Sequence, residues 1–411
     1  MGLDNNIPEG WIETTIGKVT VVESGGTPST KNSSYWGDEI PWITPRDLSS
    51  FKDVFIEKGE RSISIEGLDN SSAKLLPKNT ILFSSRAPIG YVVIAQNETA
   101  TNQGFKNLIC DEVNSHYKYF YYLMKYKSDY IERLSSGSTF SEASGTLIKS
   151  IELLLPPLPE QKAIANVLTA FDDKIELLQA QNKTSESMAQ TIFKEWFGKY
   201  QIGDDLPEGW KEDSLDNIAL EITRGFTTSY VEKSDIINLN QKVNKGKKLD
   251  KQHFKYYPND TIVPNNKFIK KYDILLNSLG QGTLGRVHLY KENTENVVAD
   301  QHVSILRFNN DLSYYVYQIL ASKSGQYRLE NEITGSTGML MLNIGRVRDF
   351  KIIVPTKEKL ELFKKSLDPI YGKVEINNSQ IQSLTKTRDT LLPKLMSGQI
   401  RVNNIKQTAD A

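Results

Sequence analysis

Residues Ile164, Leu168, Phe171, Ile175, Leu178, Asn182, Ser185, Ala189, Ile192 and Trp196 follow one another at alternating steps of four and three. Most are apolar, and they stand in a background of Lys, Glu, Gln and Asn. This pattern predicts one long amphipathic helix with a single a/d stripe carried through roughly four heptads. The stripe returns 199 residues later as Phe363, Leu367, Ile370, Val374, Asn377, Ile381, Leu384, Arg388, Leu391 and Leu395, in one-to-one register with the first. Each copy needs a partner for its apolar face, and the nearest available partner is the other copy.

Pro159 and Glu160 suit the opening turn of the first helix, where a missing N–H costs nothing. A run from there to about Phe197, stopped by Gly198, spans roughly 55–60 Å at about 1.5 Å per residue. In the second copy Pro369 occupies the position of Ala170 and predicts a kink or restart, leaving Ile370 to about Met396 as the dependable part and Ser397-Gly398 as the stop. Two such helices, linked through Lys199 to Leu206 and the segment that follows, can run antiparallel about an approximate twofold axis. Asn182, Asn377 and Arg388 interrupt the stripe. They either mark exposed stretches with no partner helix or set register and orientation, as a single core Asn can.

Outside the helices the pattern changes to short β-branched runs between Gly, Asn and Pro turns. Ile7-Pro8-Glu9-Gly10-Trp11 is matched by Leu206-Pro207-Glu208-Gly209-Trp210, again 199 residues on. Each reads as a turn followed by the first anchor of a domain core. Val19–Val22 is a strand ending at Ser24-Gly25-Gly26-Thr27-Pro28, and Glu39–Ile43 leads to Arg46 and Asp47. Asn79 to Ile94 reads as strand, polar loop, strand, with Tyr272 to Val287 as its counterpart. Both loops carry an Arg at or just past the tip. Aromatic-rich segments at 117–124 and 314–320 predict short helices packed on a sheet. Small-residue loops follow at Ser135–Thr139 and Ile333–Thr337. Strands at Ile151–Leu155 and Lys351–Val354, each stopped by proline, then lead into the long helices. The chain thus reads as variable domain, helix, variable domain, helix, each domain of about 150 residues and mixed α and β.

The 411 residues exceed the usual size of one core, in keeping with two domains. No run of about 18 apolar residues and no signal peptide is evident, so a cytoplasmic protein with no membrane association is expected. A single cysteine, Cys110, excludes an internal disulfide and a thiolate zinc cluster. The four histidines stand alone, so no metal site is expected. Lys plus Arg and Asp plus Glu both number 50, for a net charge of zero. The charge is unevenly spread: residues 1–155 hold 15 basic against 19 acidic residues, and 207–355 hold 20 against 17. Lysines 242, 245, 247, 248, 251 and 255 form the densest basic stretch. A nearly neutral chain can bind DNA if its basic residues face one groove, and a partner with its own DNA contacts would help it.

Motifs for catalysis are missing. There is no G-x-x-x-x-G-K-[ST], no G-x-S-x-G, and no Asn- or Asp-Pro-Pro-aromatic tetrad for methylating base amino groups. Gly280-Gln281-Gly282-Thr283-Leu284-Gly285 spells G-x-G-x-x-G without a βαβ context and is expected to be a turn. Cys110 reads as a buried small hydrophobe. The chain is not expected to be an enzyme by itself.

The ordered set of P-E-G-W starts, Ser24-Gly25-Gly26-Thr27-Pro28, Ile40-Pro41-Trp42-Ile43, Arg46-Asp47-Leu48, Leu155-Pro156-Pro157-Leu158-Pro159-Glu160-Gln161 and Leu392-Pro393-Lys394-Leu395-Met396-Ser397-Gly398 resembles the specificity subunit of type I restriction-modification systems over essentially the whole chain. The second helix departs from the pattern, opening with Val354-Pro355-Thr356-Lys357-Glu358. The resemblance implies two target recognition domains (1–155 and 201–355) and two spacer helices (156–200 and 356–400), with a tail at 401–411. The expected fold is α+β, with the helices forming an antiparallel intramolecular coiled coil of pseudo-twofold symmetry. Each domain would read half of a bipartite, asymmetric site in double-stranded DNA. The partners implied are two modification subunits, which methylate adenine with S-adenosylmethionine, and two restriction subunits, which use ATP and Mg; this chain itself is expected to bind no cofactor. Arg46 and Arg86 in the first domain and Arg224 and Arg286 in the second are candidate base or phosphate contacts, though each could equally be an ordinary surface or salt-bridged arginine. Lys247 and Lys248 are candidate phosphate clamps, with Ser138, Thr139, Ser336 and Thr337 as weaker candidates. The alternative reading is a nonenzymatic scaffold with two protein-binding domains on a coiled-coil rod.

Overall fold

The computed structural model describes residues 7–49, 51–135, 142–280, 282–292, 294–335 and 340–402. The chain divides into two units, Met1–Ala180 with Asn377–Ala411, and Gln181–Ile376. Each unit therefore contains one mixed α/β domain and one half of each long helix.

In the first unit, Pro8-Glu9-Gly10 turns the chain so that Trp11 N–H donates to the Pro8 carbonyl at 2.9 Å. Gly10 supplies the positive φ of +80° that this turn needs. Trp11 is then buried in the core. The strands are β1 (Ile12–Thr15), β2 (Thr20–Ser24), β3 (Trp36–Ile43), β4 (Phe55–Ile56), β5 (Arg61–Ile63), β6 (Ile81–Ser85), β7 (Ile89–Ala95), β8 (Ala100–Thr101), β9 (Phe105–Cys110) and β10 (Glu152–Leu155). They form a five-stranded sheet in the order β2-β9-β6-β7-β4, a three-stranded sheet β5-β3-β8, and the pair β1-β10. Both faces of β6 are covered. Ile81 and Phe83 face a core shared with the helix Tyr117–Ser135, while Leu82 faces a second core with Ile43, Leu48 and Phe105.

In the second unit, Gly209 repeats the positive φ at +78° and Trp210 N–H reaches the Pro207 carbonyl at 3.0 Å. Trp210 is only half-buried, against Phe197 and Tyr200, so it rims this core instead of anchoring it. The strands are β11 (Lys211–Ser214), β12 (Glu221–Arg224), β13 (Ile236–Leu239), β14 (Lys255–Tyr257), β15 (Ile274–Asn277), β16 (Val287–Leu289), β17 (Val297–Ala299), β18 (Val303–Arg307), β19 (Ile333–Thr334), β20 (Met341–Leu342) and β21 (Lys351–Val354). Their sheets run β12-β18-β15-β16, β14-β13-β17 and β11-β21, with the short pair β19-β20. The order is that of the first unit without a counterpart of β4. In both small sheets the middle strand has one antiparallel and one parallel neighbour. Ile274 and Leu276 face one core and Leu275 the other, as Ile81, Phe83 and Leu82 do.

The first long helix is Leu158–Phe197 and the second Lys357–Met396, 40 residues each. The second helix runs through Pro369 without a break, so it does not restart there. Pro369 and Lys365, whose carbonyl loses its donor, are both exposed, so water can satisfy the freed group. Leu367, Tyr371 and Val374 are buried on the flanking turns and hold the axis. All twenty stripe positions are buried or half-buried. Asn182 and Asn377 are 8% and 0% exposed, which removes the reading in which they mark exposed stretches.

In the first unit, Ile164 and Leu168 of the first helix share a core with Leu395 and Met396 of the second, and Arg388 pairs with Asp172. In the second unit Trp196 and Phe197 lie against Phe363, with ring centres 5.9 and 5.0 Å apart. Within the first unit, higher numbers on the first helix meet lower numbers on the second.

The start of the first helix is also a junction. Glu160 accepts from Trp11 Nε1 at 3.0 Å and from Arg401 at 2.7 and 2.9 Å, tying both ends of the described chain to one carboxylate. Gln161 is fully buried. It donates to the carbonyls of Asn114 and Pro156 at 2.8 and 3.0 Å and accepts from His116 N–H at 2.9 Å. In the second helix the same positions carry Lys359, 4.2 Å over the Trp196 ring, and the apolar Leu360. Among the described residues no helix is long and apolar enough to cross a membrane.

Candidate nucleic-acid interface

One end of each domain is a set of loops closed by backbone hydrogen bonds. In the first domain Gly26 N–H donates to Thr101 O at 2.8 Å, Asn102 N–H to Ile43 O at 3.0 Å, Ser85 N–H to Gly104 O at 2.7 Å and Ala143 N–H to Ser85 O at 2.9 Å. In the second, Phe226 donates to Ala299 at 2.7 Å, Asp300 to Leu239 at 2.9 Å, Ser278 to His302 at 2.8 Å and Leu342 to Ser278 at 2.9 Å. The two sets match bond for bond. The preceding glycines are required by close approach: a Cβ on Gly25 would lie 2.0 Å from Asn102 O, and one on Gly225 2.1 Å from Ala299 O. Bonds of this kind constrain the main chain and leave most side chains of the loops free to differ.

Arg46 is exposed on the helical turn Pro45–Leu48 that follows β3. Asp47 stabilises that turn by accepting from Thr44 N–H at 2.7 Å and Glu60 N–H at 2.8 Å. The turn after β13 is built alike. Val243 N–H reaches Asn240 O at 3.0 Å as Asp47 N–H reaches Thr44 O at 3.1 Å, and Lys242, also exposed, takes the place of Arg46. Sequence reasoning noted Lys242 only as part of a basic stretch. Its distance from the strand end, the same three residues that separate Arg46 from Ile43, was the available signal.

Arg86 leaves the end of β6 and pairs with Glu142 at 3.4 Å. Glu142 also meets the buried Lys106 at 3.3 Å. Arg286 enters β16 and donates to the Gly282 carbonyl across its own loop at 3.0 Å. By strand register Arg86 corresponds to Leu279 and Arg286 to Tyr91, so the two arginines occupy opposite arms of their hairpins. The Gly280–Gly285 stretch is this hairpin loop, with positive φ at Gly280, Gly282 and Gly285. Asn277 fastens it to the Lys242 turn by donating to Gln241 O at 3.1 Å.

Arg224 ends β12, half-buried, with Nε enclosed and no partner among the described residues. Lys247 is exposed but paired with Glu186 of the first long helix, which neutralises it in this structure. Lys248 is exposed beside it. Ser138, Thr139, Ser336 and Thr337 lie outside the described residues. The described residues Ala143 and Leu342 donate to the Ser85 and Ser278 carbonyls.

Asp300 is buried, 1% exposed, and takes Tyr230 OH at 3.0 Å, Thr227 Oγ1 at 3.1 Å and His302 N–H at 2.9 Å. Asp300 also meets His302 Nδ1, so one buried carboxylate gathers the Tyr230, Thr227 and His302 segments of this loop end. Burial pushes the Cys110 thiol up to about 12, far from a reactive thiolate. Among the described residues no group of three or more His, Cys, Asp or Glu could hold a metal.

The chain is similar to the type I restriction enzyme MjaIX specificity subunit of Methanocaldococcus jannaschii, with 34% identity over 97% of this chain and 95% of the relative. It is also similar to the MjaVIII specificity subunit of the same organism, with 22% identity over 97% and 95%. The crystal structure of a type I restriction-modification system S subunit from M. genitalium has the same fold, with a TM-score of 0.58 at 20% identity over 96% of this chain and 98% of that one. The specificity proteins of this family are distinct from its methyltransferase and nuclease components. The family model for the type I restriction modification DNA specificity domain matches twice, at residues 8–186 and 207–386, and the chain belongs to that family.

Proposed function

We propose that this chain is the DNA-reading subunit of a type I restriction-modification assembly and that its two domains each read one half of a bipartite, asymmetric site. The observation that carries this reading is the pair of matched loop ends: the same four backbone bonds hold different side chains, Arg86 against Leu279 and Tyr91 against Arg286. A constant frame with altered polar groups suits recognition of base edges in the major groove, where all four base pairs can be told apart. Unlike loops read unlike half-sites.

The long helices form an antiparallel intramolecular coiled coil with pseudo-twofold symmetry and act as the spacer between half-sites. Forty residues make a rod of about 60 Å, so two recognised segments on duplex DNA, whose grooves recur every ~34–36 Å, are held at a set separation. The outer helix faces recruit two modification subunits, which bring S-adenosylmethionine and flip the target adenine. Two restriction subunits with ATP and Mg complete the nuclease form.

Mapping methylated adenines in DNA treated with the reconstituted subunits tests the reading. The expected result is a motif of two short read segments separated by an unread gap of fixed length. Lengthening both helices by two heptads is expected to lengthen the gap; an unchanged gap refutes the spacer role. Arg286→Ala is expected to weaken binding by about 1–3 kcal/mol and relax one base position. Equal binding to cognate and mismatched duplexes by wild type and variant alike refutes that assignment.

A further inference from the structure

We propose that Arg61 and Lys255 are equivalent phosphate anchors, one in each domain, contacting the backbone of duplex DNA rather than its bases. The inference rests on the DNA-reading role above and adds a site to it. Arg61 on β5 pairs opposite Trp42, and Lys255 on β14 pairs opposite Asn238. Trp42 precedes Ile43, whose carbonyl closes the loop end through Asn102; Asn238 precedes Leu239, whose carbonyl does so through Asp300. The two cations therefore occupy the same point of the same framework, although they stand 194 rather than 199 residues apart and share no surrounding motif.

Each cation lies on an aromatic face. The Arg61 guanidinium is 3.4 Å from the centre of the Trp36 ring, which meets Trp42 edge-on at 5.1 Å. The Lys255 ammonium is 4.1 Å from the Tyr230 ring, and Tyr230 stacks on Tyr257 at 5.6 Å with 15° between planes. Both cations are exposed, and among the described residues neither has a carboxylate within salt-bridge distance. Arg307 and Lys106, by contrast, are neutralised by carboxylates, Arg307 by Asp273 and Glu221 and Lys106 by Glu142. A ring face restrains a long side chain without cancelling its charge or using its N–H donors. That is preorganisation for an anion arriving from solvent.

The placement fits a duplex. From Trp42, opposite Arg61, to Arg46 is four residues, at most about 13 Å of extended chain. Asn238 and Lys242 are spaced identically. The span therefore does not exceed about the ~12 Å width of the major groove, so a cation at the groove wall leaves the turn beyond it within reach of the groove.

The test is a salt titration, by fluorescence anisotropy, of the full chain assembled with its modification subunits on a mixed-sequence duplex of several helical turns. Wild-type assembly that does not bind this duplex or any other removes the DNA-reading role, and the anchors with it. Given wild-type binding, Arg61→Ala and Lys255→Ala are each expected to make the slope of log K against log[salt] shallower by about 0.9, and the double variant by about 1.8. The loss is expected to be equal on duplexes with and without the recognised site, and Arg61→Lys is expected to restore the slope. Arg61→Gln keeps a planar group on Trp36 without the charge, so it gives the same reading if the alanine variant folds poorly. A wild-type slope in the folded glutamine variant and in Lys255→Ala overturns the proposal, as does a loss confined to one base pair of the site.

Discussion

Arg388→Met removes one partner from an enclosed ion pair and measures what the contact of the two helices contributes in the first unit. Asp172 is 9% exposed at its side chain and Arg388 18%. One carboxylate oxygen of Asp172 accepts from Arg388 and the other from Tyr122 OH at 2.6 Å. Breaking such a pair typically costs about 3–5 kcal/mol, because the remaining charge is stranded in a low dielectric. Two features pull this case to the lower end. Tyr122 stays on Asp172, and Lys125, whose ammonium is held below its ordinary range chiefly by burial with Asp172 acting the other way, supplies a nearby positive charge. We expect about 3 kcal/mol. Asp172→Asn with Arg388→Met removes both charges of the pair, leaves Lys125 free to lose its proton, and is expected to lie within about 1.5 kcal/mol of wild type. Because the chain has two units, one global unfolding energy is ill-defined. Amide hydrogen exchange across 164–178 and 384–395 reports local opening instead. A loss below about 0.5 kcal/mol, the size of an exposed pair, or a double variant as weak as the sum of its singles, refutes the reasoning.

Three further outcomes follow from the same physics. Gln161→Leu leaves the His116 N–H and the Asn114 and Pro156 carbonyls without their partner, at about 1–3 kcal/mol for each group that water cannot reach; thermal unfolding checks it, and a shift of under about 2 °C contradicts it. Pro369→Ala restores a helical hydrogen bond at an exposed site and is expected to stabilise the second helix by up to about 3 kcal/mol, seen as slower exchange around Lys373. Burial lowers the Lys291 ammonium to about 7, with Glu375, Glu186 and Asp368 opposing the shift. Between about 7 and the ordinary 10.5 the unfolded chain holds one more proton, so stability rises with pH across that window and is flat below it. Lys291→Met is expected to remove this slope in urea titrations run from pH 6 to about 10.5; an unchanged slope assigns it to another group.

The long helices were legible because a four-three stripe leaves no other economical way to bury its apolar positions. Some strands were legible where apolar or β-branched runs met Gly, Pro or Asn, as at Ile81–Ser85 and Lys351–Val354, whereas Ile236–Leu239 and Val297–Ala299 are too short to stand out. The helix does not restart at Pro369 because the cost of one proline depends on solvent access at Lys365 and on packing by Leu367 and Tyr371, which are tertiary facts. Arg86 and Arg286 look alike in a linear reading, yet the loops differ in length and put them on opposite arms of the hairpin. The pairing of Lys247 with Glu186 crosses from a loop to a helix and has no local signature. Arg61 went unremarked and Lys255 was noted only within a basic stretch for the same reason, since each cation meets a ring 25 positions away.

The matched closure of the two loop ends bears on how such a protein can acquire new targets. Because main-chain bonds seal each end, helped by a few side chains such as Asn277 and Asp300, other loop side chains such as Arg86 and Leu279 can be exchanged while the strands beneath keep their register. On the proposed reading, in which each domain recognises one half-site, mutation or recombination within one loop end would rewrite one half of the target and leave the other half untouched. New preferences would then arise by mixing existing heads, without rebuilding the scaffold that carries them.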